Sequence, residues 1–260
     1  ARLATAEQNK IFSPHSTVRV VLCTNVAETS LTVPGIKYVI DPGTARISRY
    51  SPRTKVQRLP VEKISKASAN QRKGRCGRVS EGVCVRLYSE EDFLSRTEFT
   101  DPEILRTNLA AVILQMVALH LGNITKFPFI DPPQMRQVTD GIRLLEEVGA
   151  INDAKGKGTD EIELTKIGVA LSKIPADPRL SRMLVQADKE GALSEVLVIV
   201  SALAVMDPRE RPLDKQEQSR QAHHRFDDEK SDFLSYLNLY KYICQLQTKM
   251  SNSALRKRLK

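Results

Sequence analysis

Residues 18–32 read Val-Arg-Val-Val-Leu-Cys-Thr-Asn-Val-Ala-Glu-Thr-Ser-Leu-Thr, an apolar, β-branched run that breaks into a cluster of hydroxyl and amide side chains. The run Val18–Cys23 predicts a strand, and Ile36–Ile40, ending at Asp41-Pro42-Gly43, predicts another. Both show little polar alternation, which suits buried strands of a parallel sheet covered on both faces. Val83–Leu87 predicts one more. Polar side chains at a strand's carboxyl end, as in Thr24–Thr32, sit where an open α/β sheet forms its ligand crevice. An ordinary polar loop capping a helix is the alternative. The first region reads as α/β.

Between Thr44 and Leu59, two polar, arginine-bearing strands flank Ser51-Pro52-Arg53, a hairpin signal. Ser65 is placed to cap a short helix over Lys66–Lys73. That helix leads into Gln71-Arg72-Lys73-Gly74-Arg75-Cys76-Gly77-Arg78. Glycines before each arginine let the backbone approach a ligand, and Arg75 and Arg78 at helical spacing point one way. Two guanidinium forks presented together match a triphosphate, whose developing charge they would neutralise in phosphoryl transfer. A basic, solvated helix end needs neither the glycines nor Gln71.

Charge supports this. The 260 residues carry +9, yet residues 1–80 hold 15 Lys and Arg against four acids (Glu7, Glu28, Asp41, Glu62), a net +11, and the remainder is at −2. Such asymmetry points to a polyanion partner, nucleic acid or nucleotide phosphate, with a solvated basic face as the alternative. Trp is absent and only 5% of residues are aromatic, which excludes a Trp-rich stacking surface.

From Asp101 the pattern turns helical. Asp101-Pro102-Glu103 reads as an N-cap, and Leu105, Leu109, Val112, Ile113 and Met116 recur at helical spacing. Pro132-Pro133 breaks the chain, and a second helix from about Arg136 ends at Gly149. Ala150–Asn152 and Glu161–Leu164 flank Lys155-Gly156-Lys157-Gly158 as a hairpin, so two helices and a hairpin make a winged-helix pattern. Its helices, Ile104–His120 and Gln137–Val148, hold only Arg106 and Arg143 as basic residues, fewer than a groove reader carries. Helices follow at about Asp177–Lys189, Leu193–Val205 and Lys230–Leu246.

TNVAETSLT (24–32) and QRKGRCGR (71–78), with YVIDPG and SKASANQR between them, resemble motifs V and VI of DEAH-box RNA helicases of superfamily 2. RLYSEEDF, DPEILRTNLAAVILQM, FPFIDPP and DPRLSRML resemble that family's winged-helix and ratchet segments, and RERP and DEKSDFLSYLNLY its bacterial branch. The resemblance implies part of a second RecA-like domain over 1–97, a winged helix over 98–165 and a helical ratchet domain over 166–260. It makes Arg75 and Arg78 arginine fingers and puts Gln71 at the γ-phosphate or the attacking water. Phe12 would stack on the base, Thr32 would lie near the ribose, and Gly74 and Gly77 would border the nucleotide. Thr24, Asn25 and Thr29 would grip RNA, and the Arg46–Arg58 hairpin, with Arg46, Arg49 and Arg53, would part its strands. The implied activity is ATP-dependent 3′→5′ movement on single-stranded RNA, with Mg²⁺.

The sequence also departs from that family. The P-loop and the DEAH carboxylates are absent: Gly156-Lys157 is the only Gly-Lys pair and lacks the GxxxxGK[ST] frame. Lys73 and Cys76 stand where motif VI more usually has alanine. The expectation is a C-terminal fragment that hydrolyses no ATP alone, holding ATP and Mg²⁺ mainly through a missing first RecA-like domain. It would be cytoplasmic, monomeric and clear of membranes, since Thr107–Thr125, the longest uncharged stretch, is broken by Asn108, Gln115, His120 and Asn123. Cys23 and Cys84 read as small buried residues, His223-His224 as a solvated pair, and the five methionines as core fillers. A non-catalytic adaptor and a DNA-directed helicase are the rival readings.

Overall fold

The computed structural model describes residues 8–78, 80–152, 161–205, 207, 209 and 215–259. They fall into two units, one reaching to Ile113 and resuming over Gly122–Arg143, the other comprising Leu114–Leu121 and everything from Leu144.

In the first unit, a helical turn α1 (Val26–Thr29) precedes β1 (Tyr38–Asp41), β2 (Thr44–Arg46), β3 (Arg49–Ser51), β4 (Val56–Arg58) and β5 (Val61–Lys63). Helix α2 (Lys66–Lys73), β6 (Val83–Arg86) and α3 (Glu90–Ser95) follow. β1 and β6 pair in parallel, Tyr38 opposite Val83 through Asp41 opposite Arg86. The hairpin is long and stepped: β2 pairs with β5, then β3 with β4, the outer and inner pairs joined by Ile47 N–H donating to Pro60 at 3.1 Å. Helix α2 starts where the sequence puts it, with Ser65 accepting from Ser68 N–H at 3.2 Å.

Val18–Cys23 is not a strand and is not buried: Val18, Val20 and Leu22 are 95%, 79% and 93% exposed, and Cys23 is exposed too. A β-branched run becomes a strand only by completing a ladder with a neighbour. Among the described residues the parallel sheet contains β1 and β6, and Arg19 folds back onto the carbonyls of Lys10 (2.9 Å) and Ser13 (2.8 Å). The expected two-sided cover is not provided by the described residues either, since Tyr38, Ile40, Val83 and Val85 are all exposed.

The expected long helix after Asp101 is interrupted. Glu103–Leu105 forms a single 3-10 turn, and α4 begins only at Ala110 (Ala110–Ala118). The Arg106 carbonyl, which a continuous helix would spend on Ala110 N–H, accepts instead from Tyr50 N–H at 2.7 Å. Ala110 N–H turns to the Asn108 side chain at 2.8 Å, which restarts the helix. Helix α5 (Met135–Glu147) lays Gly141 against Leu109, Ala110 and Ile113.

The second unit is helical: α6 (Lys166–Ser172), α7 (Pro178–Lys189), α8 (Leu193–Ala204), α9 (Gln216–His224), α10 (Asp232–Gln247) and α11 (Asn252–Arg258). Thr165, Asp177, Ser231 and Ser251 cap α6, α7, α10 and α11. Leu171, Leu184, Ala187, Ile199, Val200, Leu237, Leu246 and Leu255 form its core. Ile151 and Leu164 make one antiparallel bridge, and the Lys155–Gly158 tip lies outside the described residues. Among the described residues, no helix is long and apolar enough to cross a membrane.

Gly43 holds the turn between β1 and β2 at φ +74°, where an added Cβ would lie 2.6 Å from the Tyr88 ring and 2.7 Å from the Arg96 guanidinium. Gly35 shares that φ with nothing within 4 Å. Gly35→Ala should cost only the left-handed penalty, about 1–2 kcal/mol. Gly43→Ala should add an overpacking cost of about 1–3 kcal/mol. Urea unfolding checks this: the Gly43 variant must show the larger fall in midpoint.

Candidate functional site

The 71–78 segment packs against the 28–32 segment through three arginines. Arg72 leaves the last turn of α2 and reaches two carboxylates, Glu28 at 3.0 Å and the fully buried Asp41 at 2.7 Å. Ser68, one turn earlier, donates to the other Glu28 oxygen at 2.6 Å. Tyr88 O–H (2.9 Å) and Gly43 N–H (2.9 Å) complete the shell around Asp41. Burial alone would lower the Arg72 pKa, but the hydrogen bonds it donates to Asp41 and Glu28 more than reverse this, and it is raised.

Burial and the hydrogen bond to Asp41 push the Tyr88 phenol up to about 12 from 10.0. Because the folded value is the higher one, the neutral phenol contributes its full stability below pH 10 and loses it as pH climbs through 12.

Arg75 and Arg78 follow α2 and make contacts of another kind. Arg75 donates to the carbonyl oxygens of Leu31 (2.9 Å) and Glu28, and Arg78 donates to the Thr32 hydroxyl. All of these acceptors are neutral. The structure thus gathers Arg75, Arg78 and Thr32, three of the residues singled out from sequence. Gly77 has open space where a Cβ would go, and Gly74 caps α2 in an ordinary helical conformation. Gln71 is exposed on α2, and Thr24, Asn25 and Thr29 are exposed on and around α1.

Phe12 lies in a 3-10 turn, Lys10–Phe12, and is 42% exposed. Among the described residues, no ring contact or hydrogen bond ties it to either segment.

On the hairpin, Arg46 and Arg53 are exposed. Arg49 is different. Its guanidinium is bidentate to Glu62 (2.6 and 2.8 Å) and also reaches Asp101 at 2.9 Å. The hydrogen bonds it donates to Glu62 first, then to Asp101, raise its pKa against the effect of burial. With its three donor nitrogens engaged, Arg49 is a brace rather than a side chain open to a nucleic-acid phosphate.

The sequence reading passed over Glu28, Asp41 and Arg72. A signal was present: residues 1–80 hold only four acids among 15 basic residues, and an acid in such a segment is a natural ion-pair partner. Glu28, Asp41 and Glu62 are each bonded by an arginine.

Known proteins carry the same two parts. Residues 1–80 match the model of the helicase conserved C-terminal domain, and residues 177–236 match the ratchet-like helicase associated domain HA2. The fold resembles the crystal structure of the E. coli DExH-box NTPase HrpB, with a TM-score of 0.68 and 29% identity over 86% of this chain and 28% of that one. The described architecture is therefore that of a helicase C-terminal RecA-like domain with a ratchet-like helical region.

The chain is 63% identical to the ATP-dependent RNA helicase HrpA of Escherichia coli (strain K12), over 99% of its own length and 20% of the relative's. It is 37% identical to the probable ATP-dependent RNA helicase DHX35 of Homo sapiens, over 92% of its length and 34% of the relative's. The chain spans about a fifth of the length of HrpA and about a third of that of DHX35.

Arg72→Met should leave Asp41 buried and facing no cation, and should destabilise the chain by about 3–5 kcal/mol. Arg75→Met removes bonds to neutral acceptors and should cost about 1–3 kcal/mol. Thermal or urea unfolding of the two variants side by side checks the order.

Proposed function

We propose that this chain supplies one wall of the ATP site and part of the RNA path of an ATP-dependent 3′→5′ RNA helicase. The observation that carries the reading is the pair Arg75 and Arg78. They stand three residues apart, beside Thr32, each held by neutral oxygens that a phosphate can displace. An arginine bonded to phosphate gains a charge-assisted, bidentate partner in place of a neutral one, so the exchange favours phosphate once ATP is brought within reach.

ATP is substrate here, and its phosphates need a P-loop, which this sequence lacks. That wall belongs to another RecA-like domain. When the two walls close, Arg75 and Arg78 would meet the γ-phosphoryl oxygens and neutralise the charge that develops there. Gln71, exposed on α2, would orient the attacking water. No cluster of His, Cys, Asp or Glu fit for a metal occurs among the described residues. We assign Mg²⁺ to the opposite wall, whose carboxylates would hold it.

Thr24, Asn25 and Thr29 would hold the RNA backbone by hydroxyl and amide contacts that fix position without reading bases. Phe12 is assigned to the base and Thr32 to the ribose. The hairpin tip, with Arg53, would part paired strands. We assign α4, α5 and the Ile151–Leu164 bridge to a winged helix within residues 98–165, acting as a structural module between a RecA-like part (1–97) and a ratchet (166–260). RNA-stimulated hydrolysis then drives movement along the strand.

The test is ATP hydrolysis, with and without single-stranded RNA, by a full-length polypeptide containing this chain. Arg78→Ala should cut stimulated turnover by about two orders of magnitude or more, the weight of an arginine finger. A loss under about tenfold would remove Arg78 from that role. RNA binding without any hydrolysis would replace the motor reading with that of an adaptor. The chain by itself should bind RNA weakly, with an affinity that falls steeply as salt rises, and should leave ATP intact.

A further inference from the structure

The inner strand of the hairpin is tied to the segment that follows α3. Arg49, in β3, grips Glu62 of β5 with Nε (2.6 Å) and Nη2 (2.8 Å), and Asp101 with Nη1 (2.9 Å). Arg106, five residues beyond Asp101, donates to the Asp101 carbonyl at 2.8 Å and to the Ser48 carbonyl at 3.1 Å, while its own carbonyl accepts from Tyr50 N–H at 2.7 Å. Ser48 is held from the far strand as well, by Gln57 at 2.6 Å. Gln137 of α5 caps the Leu105 carbonyl at 2.8 Å.

Residues 48–50 of the hairpin and 101–106 of the following segment are thereby locked by side chain and backbone together. The cost to local structure is visible, because this tie is what interrupts the helix between Leu105 and Ala110.

We infer that Arg49 is a positioning residue: it holds the hairpin at a set angle to the 101–106 segment, and the coupling of hydrolysis to strand separation depends on that angle. The inference rests on the helicase reading above and deepens it. A flexible hairpin would yield when pushed against a duplex, whereas a braced one transmits the displacement of the unit that carries it. Arg49 and Asp101 are more than a third exposed, so these pairs contribute little to global stability. Breaking them should loosen the hairpin without unfolding the unit. The brace also touches neither Arg75 nor Arg78, so hydrolysis itself should survive.

The experiment uses the full-length polypeptide with Glu62→Ala and Asp101→Ala together, and the milder pair Glu62→Gln and Asp101→Asn as a second variant. RNA-stimulated ATP turnover, the RNA concentration for half-stimulation, and duplex separated per ATP hydrolysed are all measured. The expected result is hydrolysis and half-stimulation within about twofold of the parent, with duplex separation per ATP down by about tenfold or more, and less so in the milder variant. A fall in turnover and separation together, or an unchanged ratio in both variants, overturns the brace. Hydrolysis by the unsubstituted parent that RNA does not stimulate overturns the helicase reading itself, and the brace's role with it.

Discussion

The geometry of the site depends on one guanidinium shared between two carboxylates. Arg72 connects α2 to Glu28 in the 24–32 segment and to Asp41 at the end of β1. Asp41 is fully buried, so its charge is tolerable only because Arg72, Tyr88 and the Gly43 amide surround it. Removing any of those groups leaves a charge in a medium that solvates it poorly. The arrangement therefore fixes the rotation of α2, and through it the direction in which the chain leaves at Gly74. Arg75 and Arg78 reach the 28–32 segment because Arg72 has already docked the helix that carries them.

A second constraint acts on the sheet. β1 and β6 form a two-stranded parallel ladder whose outer residues are exposed. Isolated pairs of this size are marginal, so the covering helix α2 and the buried ion cluster at the strand's end have to hold it. The Asp41 cluster serves both functions: it anchors β1 and it presents α2. The Val18–Cys23 run, with no ladder partner among the described residues, stays exposed even though its composition is that of a strand.

What was legible in the sequence is what local chemistry decides. Ser65 starts its helix as a capping residue does, and Ser51-Pro52-Arg53 leads into the turn of the hairpin between two arginine-bearing strands. The glycine-spaced arginines stand out in the sequence, and the structure brings Arg75 and Arg78 to the 28–32 segment. What was not legible is what only tertiary partners decide. Nothing local says that Arg49 faces Glu62 and Asp101, or that the Arg106 carbonyl is taken by Tyr50 and so delays α4 to Ala110. Composition alone could not separate Arg72, buried between two acids, from the arginines three and six positions on.

Those three arginines share a segment but differ in what holds them, and that difference supports the separate roles proposed for them. Arg72 is bound by opposite charge in a buried place, where exchange would strand two carboxylates. Arg75 and Arg78 are bound by carbonyl and hydroxyl oxygens, which return to water or to one another at modest cost. A group that must meet a developing charge and then let go needs acceptors of that second kind at rest. Carboxylate partners at those positions would compete with phosphate on equal terms and hold the arginines back. The scarcity of acids in the first 80 residues, and the pairing of Glu28, Asp41 and Glu62 with other arginines, keep that competition away from Arg75 and Arg78. On the function proposed above, the charge asymmetry has a local meaning: the paired acids lie where rigidity is needed and away from the two arginines proposed to exchange partners.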